Sequence, residues 1–178
     1  MHAVDLDLVA GWLAQPHVAR WYLAGSTTAC EIDDLARAVR GEQPVHALVV
    51  TEDEAPVGWC QWYRGSDDPD WAADVGAGPD DVGIDYAIGV PHFVGRGLGT
   101  DLVAHLVRAA RHEVPGCAVV SDPDARNTAS RRVLEKNGFA LVARKVLPSE
   151  HSDDPMAVYR LPASPLVPRR GASAGLPQ

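Results

Sequence analysis

The segment that most limits what this chain can become is Gly95-Arg96-Gly97-Leu98-Gly99, a glycine-rich turn at the junction of a strand and a helix. Before it, residues 83–89 (GIDYAIG) read as an apolar strand. After it, residues 97–112 place Leu98, Leu102, Val103, Leu106 and Val107 on one helical stripe. Glycines let backbone N–H groups converge without a Cβ in the way, and a helix N-terminus adds about half a positive charge. The combination suits a pyrophosphate, with Arg96 expected to add a charge-assisted contact. The phosphate loop of nucleotide triphosphatases is excluded, because Leu98-Gly99-Thr100 lacks the required lysine. A dinucleotide-binding unit is excluded as well: its glycines follow the first strand of a βαβ unit, whereas these lie mid-chain after a hairpin. The bland alternative is a tight turn that holds no ligand.

Around this junction the periodicity organises the rest. Residues 4–15 carry Leu6, Val9, Trp12 and Leu13 at helical spacing, and Pro16 ends that helix and opens the next, PHVARWYL. A third helix, residues 30–40, follows the cap-like Ser26-Thr27-Thr28 and stops at Gly41. Residues 45–51 and 57–63 read as a hairpin, 64–82 as a Gly/Asp/Pro-rich loop, and 117–121 as a short strand. A helix over about 127–137 is ended by Gly138, and FALVARKV and MAVYRL are closing strands. This order predicts an α/β fold with one mixed sheet, a single domain over 1–161. The segment 162–178, rich in Pro, Gly and Ser, is expected to be disordered.

Composition narrows the partners. The net charge is −8 over 178 residues, which disfavours nucleic acid and favours a cationic ligand. Three scattered cysteines, Cys30, Cys60 and Cys117, offer neither a disulfide framework nor a metal-ligand spacing. With no signal-like start and no apolar run of spanning length, the expectation is a cytoplasmic protein with no membrane partner.

At the glycine turn the chain resembles the GCN5-related N-acetyltransferases, whose acetyl-CoA loop follows a Gln/Arg-x-x-Gly-x-Gly/Ala pattern. Gly97 and Gly99 match its glycines, and Val94 departs from it at the Gln/Arg position. Residues 127–139, NTASRRVLEKNGF, are similar to that family's Asn…Glu-Lys-x-Gly-Phe segment. The resemblance implies a mixed, mostly antiparallel central sheet flanked by helices, with acetyl-CoA as cosubstrate and no metal. It further implies that Val94, Gly95, Arg96, Gly97, Leu98, Gly99 and Thr100 hold the pyrophosphate and that Asn127 contacts the pantetheine arm. Ala87, Ile88 and Gly89 would lie along the acetyl-pantetheine arm, their N–H groups polarising the thioester. Many members carry a tyrosine that protonates the leaving thiolate; here that position is Leu134. Water, Tyr159 and Tyr86 remain as sources of that proton, as does unassisted departure.

For the acceptor, the segment between Ser66 and Asp85 holds Asp67, Asp68, Asp70, Asp74, Asp80 and Asp81 around Trp71, with no Lys or Arg. Carboxylates beside an aromatic platform suit a sugar ring bearing ammonium groups. Four segments are similar to the aminoglycoside 6'-N-acetyltransferases in the same order: GWLAQPHVARWY, the acidic Trp loop, GIDYAIG and SDPDARN. By that likeness Asp85 receives and deprotonates the amine, and Asp122 is a second substrate carboxylate. Trp21, Asp70, Trp71 and Tyr86 complete the pocket. A carboxylate in reach of an alkylammonium orients it and accepts a proton, which supports Asp85 on chemical grounds. His17 is a further candidate for the pocket, while His92 and His105 read as surface or supporting residues.

These readings predict direct transfer in a ternary complex to an aminoglycoside amine, at a 6'- or 2'-position, by a monomer or homodimer. Rivals are a protein N-terminal acetyltransferase of the ribosomal-protein type, a siderophore or metabolite N-acyltransferase, and a non-catalytic acyl-CoA-binding module.

Overall fold

A computed structural model describes residues 1–150 and 152–164. Three helices come first: α1 (Leu6–Leu13), α2 (Pro16–Tyr22) and α3 (Thr28–Val39). The hairpin β1 (His46–Glu52) and β2 (Ala55–Arg64) follows, then α4 (Pro69–Val75) and β3 (Val82–Ile88). The remaining elements are α5 (Leu98–Glu113), β4 (Val119–Ser121), α6 (Thr128–Lys136), β5 (Ala140–Lys145) and β6 (Met156–Leu161). The six strands form one sheet in the order β1-β2-β3-β4-β6-β5, parallel only between β3 and β4. The expected mixed, mostly antiparallel sheet flanked by helices is therefore the one observed. Residues 165–178, most of the segment expected to be disordered, lie outside the described residues.

Strand alternation divides the apolar side chains between the two faces. On one face α5 and α6 bury Leu102, Val103, Leu106 and Leu134 against Ile84, Val119, Ala157 and Tyr159. On the other, α1, α2 and α3 bury Val9, Trp12, Leu13, Val18 and Leu35 against Trp59 and Ala87. Trp12 and Trp59 stack with centroids 6.2 Å apart.

Two local expectations are corrected. The segment read as an uninterrupted loop over 64–82 contains α4. Asp68 accepts from Trp71 N at 3.0 Å as its N-cap, Pro69 occupies the first turn, and Gly76 ends the helix at φ 68°. Composition hid a short helix whose start and stop signals were all present. The first helix is also shorter than expected, because residues Ala3–Asp5 form a 3-10 turn ahead of α1.

Candidate active site

β3 and β4 pair only at Val82–Val119 and Gly83–Val120. β4 then ends at Ser121, while β3 continues to Ile88. Beyond Gly83 no described strand neighbours that edge of β3, and a cavity of about 340 Å³ lies between it, the glycine turn and α6.

The glycine turn forms one end of this cavity. Gly95 and Gly97 adopt φ 78° and 95°, and a Cβ on either would meet nothing within 4 Å, so backbone geometry and not crowding demands glycine there. Gly97 is the N-cap of α5 and supplies no side-chain cap; Thr100 N donates to the Gly97 carbonyl at 2.8 Å, and the N–H groups of Leu98 and Gly99 ahead of it have no side-chain acceptor among the described residues. At Gly99 the reason differs: a Cβ would stand 3.3 Å from Val133 Cγ2, where α5 and α6 approach each other. At the start of α6, Asn127 Oδ1 accepts from Ser130 N at 3.1 Å as the helix cap, and the residue lines the cavity. Arg132 and Lys136, one turn apart, bring positive charge to the lining. At the opposite end stand His17, Val18, Trp21 and Tyr22 of α2, with a His17 ring nitrogen 2.9 Å from the Ile88 carbonyl oxygen.

A second cavity of about 220 Å³ adjoins the first, and Trp21, Tyr22, Tyr86, Asn127 and Ser130 line both. Glu31, Asp85, Asp122, Asp124 and Glu150 line this second one, with no lysine or arginine in its described wall. Asp124 is engaged by Arg126 at 2.6 Å, which holds its carboxyl below the usual range. Burial raises the Asp85 pKa, against the hydrogen bond from Gln61 Nε2 at 3.0 Å. Asp122 is 8% exposed, and burial followed by the charge of Asp85 pushes it up to about 8, although Trp71 Nε1 donates to it at 3.1 Å. Both carboxyls are thus held above the usual carboxylate range, which makes each a better proton acceptor than a solvated carboxylate.

Of the expected cofactor residues, Ala87, Ile88, Val94, Gly95, Gly97, Gly99, Thr100 and Asn127 line the first cavity, and Asn127 lines the second as well, as do the expected substrate residues Trp21 and Tyr86. Three do not. Gly89 is packed on Trp12, whose Cγ would be 2.0 Å from a Cβ there, while Arg96 is exposed and Leu98 lies outside the lining. Asp85 and Asp122 line the acidic cavity, but Asp70 is exposed and Trp71 is 2% exposed, so neither lines it. The expected stacking platform at Trp71 is corrected: its ring is buried edge-on to Tyr63 at 4.9 Å, and only its N–H acts on the cavity, through Asp122. Trp21 is the half-buried tryptophan in the wall, with the Arg20 guanidinium 4.3 Å from its ring centroid. His92 and His105 are exposed and line neither cavity.

Sequence reasoning missed Tyr22, Glu31, Gln61, Tyr63, Asp124, Ser130 and Glu150 around the second cavity, and Arg132 and Lys136 in the first. Tyr22 adjoins Trp21 and Ser130 lies within the quoted NTASRRVLEKNGF segment, so both were within reach. Glu31 and Glu150 stand in segments with no local signal. Among the described residues no helix is long and apolar enough to cross a membrane.

Comparison with known proteins identifies the family and the fold. Residues 2–146 match the family model described as an acetyltransferase (GNAT) domain. The chain is 29% identical over 165 residues to the lysine N-acyltransferase MbtK of Mycobacterium sp. (strain MCS), covering 90% of this chain and 64% of that protein. It therefore spans less than two thirds of the length of that relative. It is also 29% identical over 140 residues to the aminoglycoside N(6')-acetyltransferase type 1 of Klebsiella pneumoniae, covering 76% of this chain and 69% of that one. The crystal structure of aminoglycoside acetyltransferase AAC(6')-Ib with coenzyme A and kanamycin superposes with a TM-score of 0.72 at 25% identity, covering 91% of each chain.

Proposed function

The chain belongs to the GNAT acetyltransferase family, and from that premise we propose that it transfers an acetyl group from acetyl-CoA to an amine of an aminoglycoside. The observation that carries the acceptor is the cavity lined by five carboxylates and no described lysine or arginine, joined to the cavity at the glycine turn. A polyamine sugar presents several ammonium groups to such a wall, each able to take a charge-assisted hydrogen bond.

Acetyl-CoA fits the first cavity on three counts: an open glycine turn ending in uncapped N–H groups, an apolar wall, and Arg132 and Lys136 for phosphate charge. In this reading the turn from Val94 to Thr100 binds the pyrophosphate, and the Asn127 amide donates to the pantetheine arm. The thioester supplies the activated acyl group. Asp85 orients the ammonium and accepts its proton; its raised pKa makes it a better base than an ordinary carboxylate. Asp122 holds a second ammonium, whose positive charge lowers the pKa of the carboxyl and returns it to its ionised form, and Trp21 covers the ring. Transfer is direct, because the free thiols Cys60 and Cys117 are buried and line neither cavity. The exposed Cys30 is free as well, and three unpaired thiols suit a reducing cytoplasm.

A second reading has one observation in its favour. The likeness to a lysine N-acyltransferase covers 90% of the chain, which makes the side-chain amine of a lysine-like metabolite the alternative acceptor. Thiol release from acetyl-CoA, measured against kanamycin, tobramycin, kasugamycin, lysine derivatives, spermidine and basic peptides, separates the two. Turnover confined to aminoglycosides supports the proposal. Turnover confined to lysine derivatives or to peptides refutes it.

A further inference from the structure

We propose that Tyr86 and Ser130 form the hydroxyl pair that protonates the departing thiolate, so that the proton reaches sulfur from β3. This rests on the acetyl-transfer reading of the same site. Tyr86 Oη lies 2.7 Å from Ser130 Oγ and donates to the Ser130 carbonyl oxygen at 3.2 Å. Both residues line both cavities, so the pair stands where acyl donor and amine must meet. Asp85 and Tyr86 are consecutive in β3 and project to opposite faces. The base therefore faces the acceptor side and the hydroxyl faces α6.

The other tyrosine expected as a source of the proton is committed elsewhere. Tyr159 is 0% exposed, donates to Glu135 at 2.6 Å, accepts from Arg131 at 3.1 Å, and lines neither cavity. Leu134 is 0% exposed in the core beneath α5 and has no hydroxyl. Ser130 precedes Leu134 by one helical turn, and a helical side chain leans back over the turn N-terminal to it. A hydroxyl carried at position 134 would thus cover the turn that holds Ser130. Tyr86 reaches that turn from the opposite wall.

The step balances as follows. The ammonium gives one proton to Asp85, and the neutral amine adds to the thioester carbonyl. When the C–S bond breaks, its electron pair goes to sulfur, which takes the proton of Tyr86 Oη. Ser130 Oγ–H donates to the phenolate oxygen left behind. The second proton shed by nitrogen, as it becomes an amide, returns to Tyr86 through water. Ammonium and thioester give amide, thiol and one released proton. Burial raises the Tyr86 pKa, but apolar surroundings also strengthen a thiolate as a base, as the buried Cys60 thiol, pushed up to about 12, illustrates. The gap between the free values, about 8.5 for a thiol and about 10 for a phenol, is therefore not carried into the cleft unchanged.

The test needs no acceptor. CoA is bound to the protein and its thiolate absorbance is titrated, for wild type and for Tyr86→Phe, Ser130→Ala and Tyr159→Phe. Tyr159 is the control, since it carries a hydroxyl but lines neither cavity. Tyr86→Phe should raise the pKa of the bound thiol, Ser130→Ala should raise it less, and Tyr159→Phe should leave it in place, with CoA affinity unchanged within about threefold. In turnover, Tyr86→Phe should lower kcat by roughly 10²–10³-fold with little change in the KM for acetyl-CoA. An unmoved thiol pKa in both Tyr86→Phe and Ser130→Ala overturns the assignment, as does a shift that appears only in Tyr159→Phe. The expected thiol shift without turnover on any amine supports this pair while refuting the proposed acceptor. Failure of the wild type to bind CoA overturns both.

Discussion

Replacing Asp122 with Asn should remove a pH-dependent instability from the folded chain. The carboxyl is 8% exposed, and burial, then the charge of Asp85, then that of Glu150, push its pKa to about 8. In the unfolded chain it titrates near ~3.9. Because the folded value is the raised one, the favourable contribution is complete below about pH 4 and is lost as pH climbs toward 8. Between those limits the native state binds one more proton than the unfolded state, and stability falls by about 1.4 kcal/mol per pH unit. From pH 5.5 to 7.5 the loss is about 2–3 kcal/mol. Asn keeps an oxygen for the Trp71 N–H, bonded at 3.1 Å in the wild type, and has no proton to lose. Urea unfolding followed by tryptophan fluorescence at the two pH values measures the effect. The variant should gain about 2 kcal/mol on the wild type between pH 5.5 and pH 7.5. Parallel pH profiles for the two proteins would refute the claim that burial keeps this carboxyl protonated.

Asp85→Asn should lower kcat by about 10²–10⁴-fold and leave acetyl-CoA affinity nearly intact, as read by steady-state kinetics and calorimetry; an equal loss in both would remove Asp85 from proton transfer. Asn127→Ala should cost about 1 kcal/mol of stability through the lost cap. It should also weaken acetyl-CoA binding by up to about tenfold, the worth of one hydrogen bond. Glu54→Gly should stabilise the chain by roughly 0.5–1 kcal/mol in thermal melts, because a side chain there is held in the left-handed region. Glu54 sits at φ 65° in the tight turn between β1 and β2, beside Asp53 at φ 47°.

The half of the site proposed to take the acyl donor was the more legible because its parts lie close together in the chain. The glycine turn is one continuous stretch and Asn127 caps the next short helix, whereas Arg132 and Lys136 on that helix were not singled out. The acceptor half was only partly readable. Its acidic residues come from α3, β3, the turn after β4 and the segment before β6, so Glu31 and Glu150 join Asp85 and Asp122 only through the folded sheet. The aspartate-rich stretch between β2 and β3 suggested a substrate loop by composition. Several of its carboxylates instead serve structure. Asp68 caps α4, Asp74 accepts from Ser149 N at 2.8 Å, and Asp81 binds Arg160 at 2.6 Å. Local composition does not distinguish a carboxylate that faces a ligand from one that secures a turn.

The brevity of β4 has a mechanical consequence. The sheet amounts to two leaves, β1-β2-β3 and β4-β6-β5, stitched by two register pairs at Val82–Val119 and Gly83–Val120. Below that seam the leaves part, and α5 with α6 is the splint laid across one face. A ligand seated in the gap as proposed would supply the missing rungs, and part of its binding energy would go to stiffening the protein. Amide exchange along Asp85–Ile88 and through the first turn of α6 should slow together when acetyl-CoA binds, while the outer hairpin β1-β2, already laddered along its length, is left as it was.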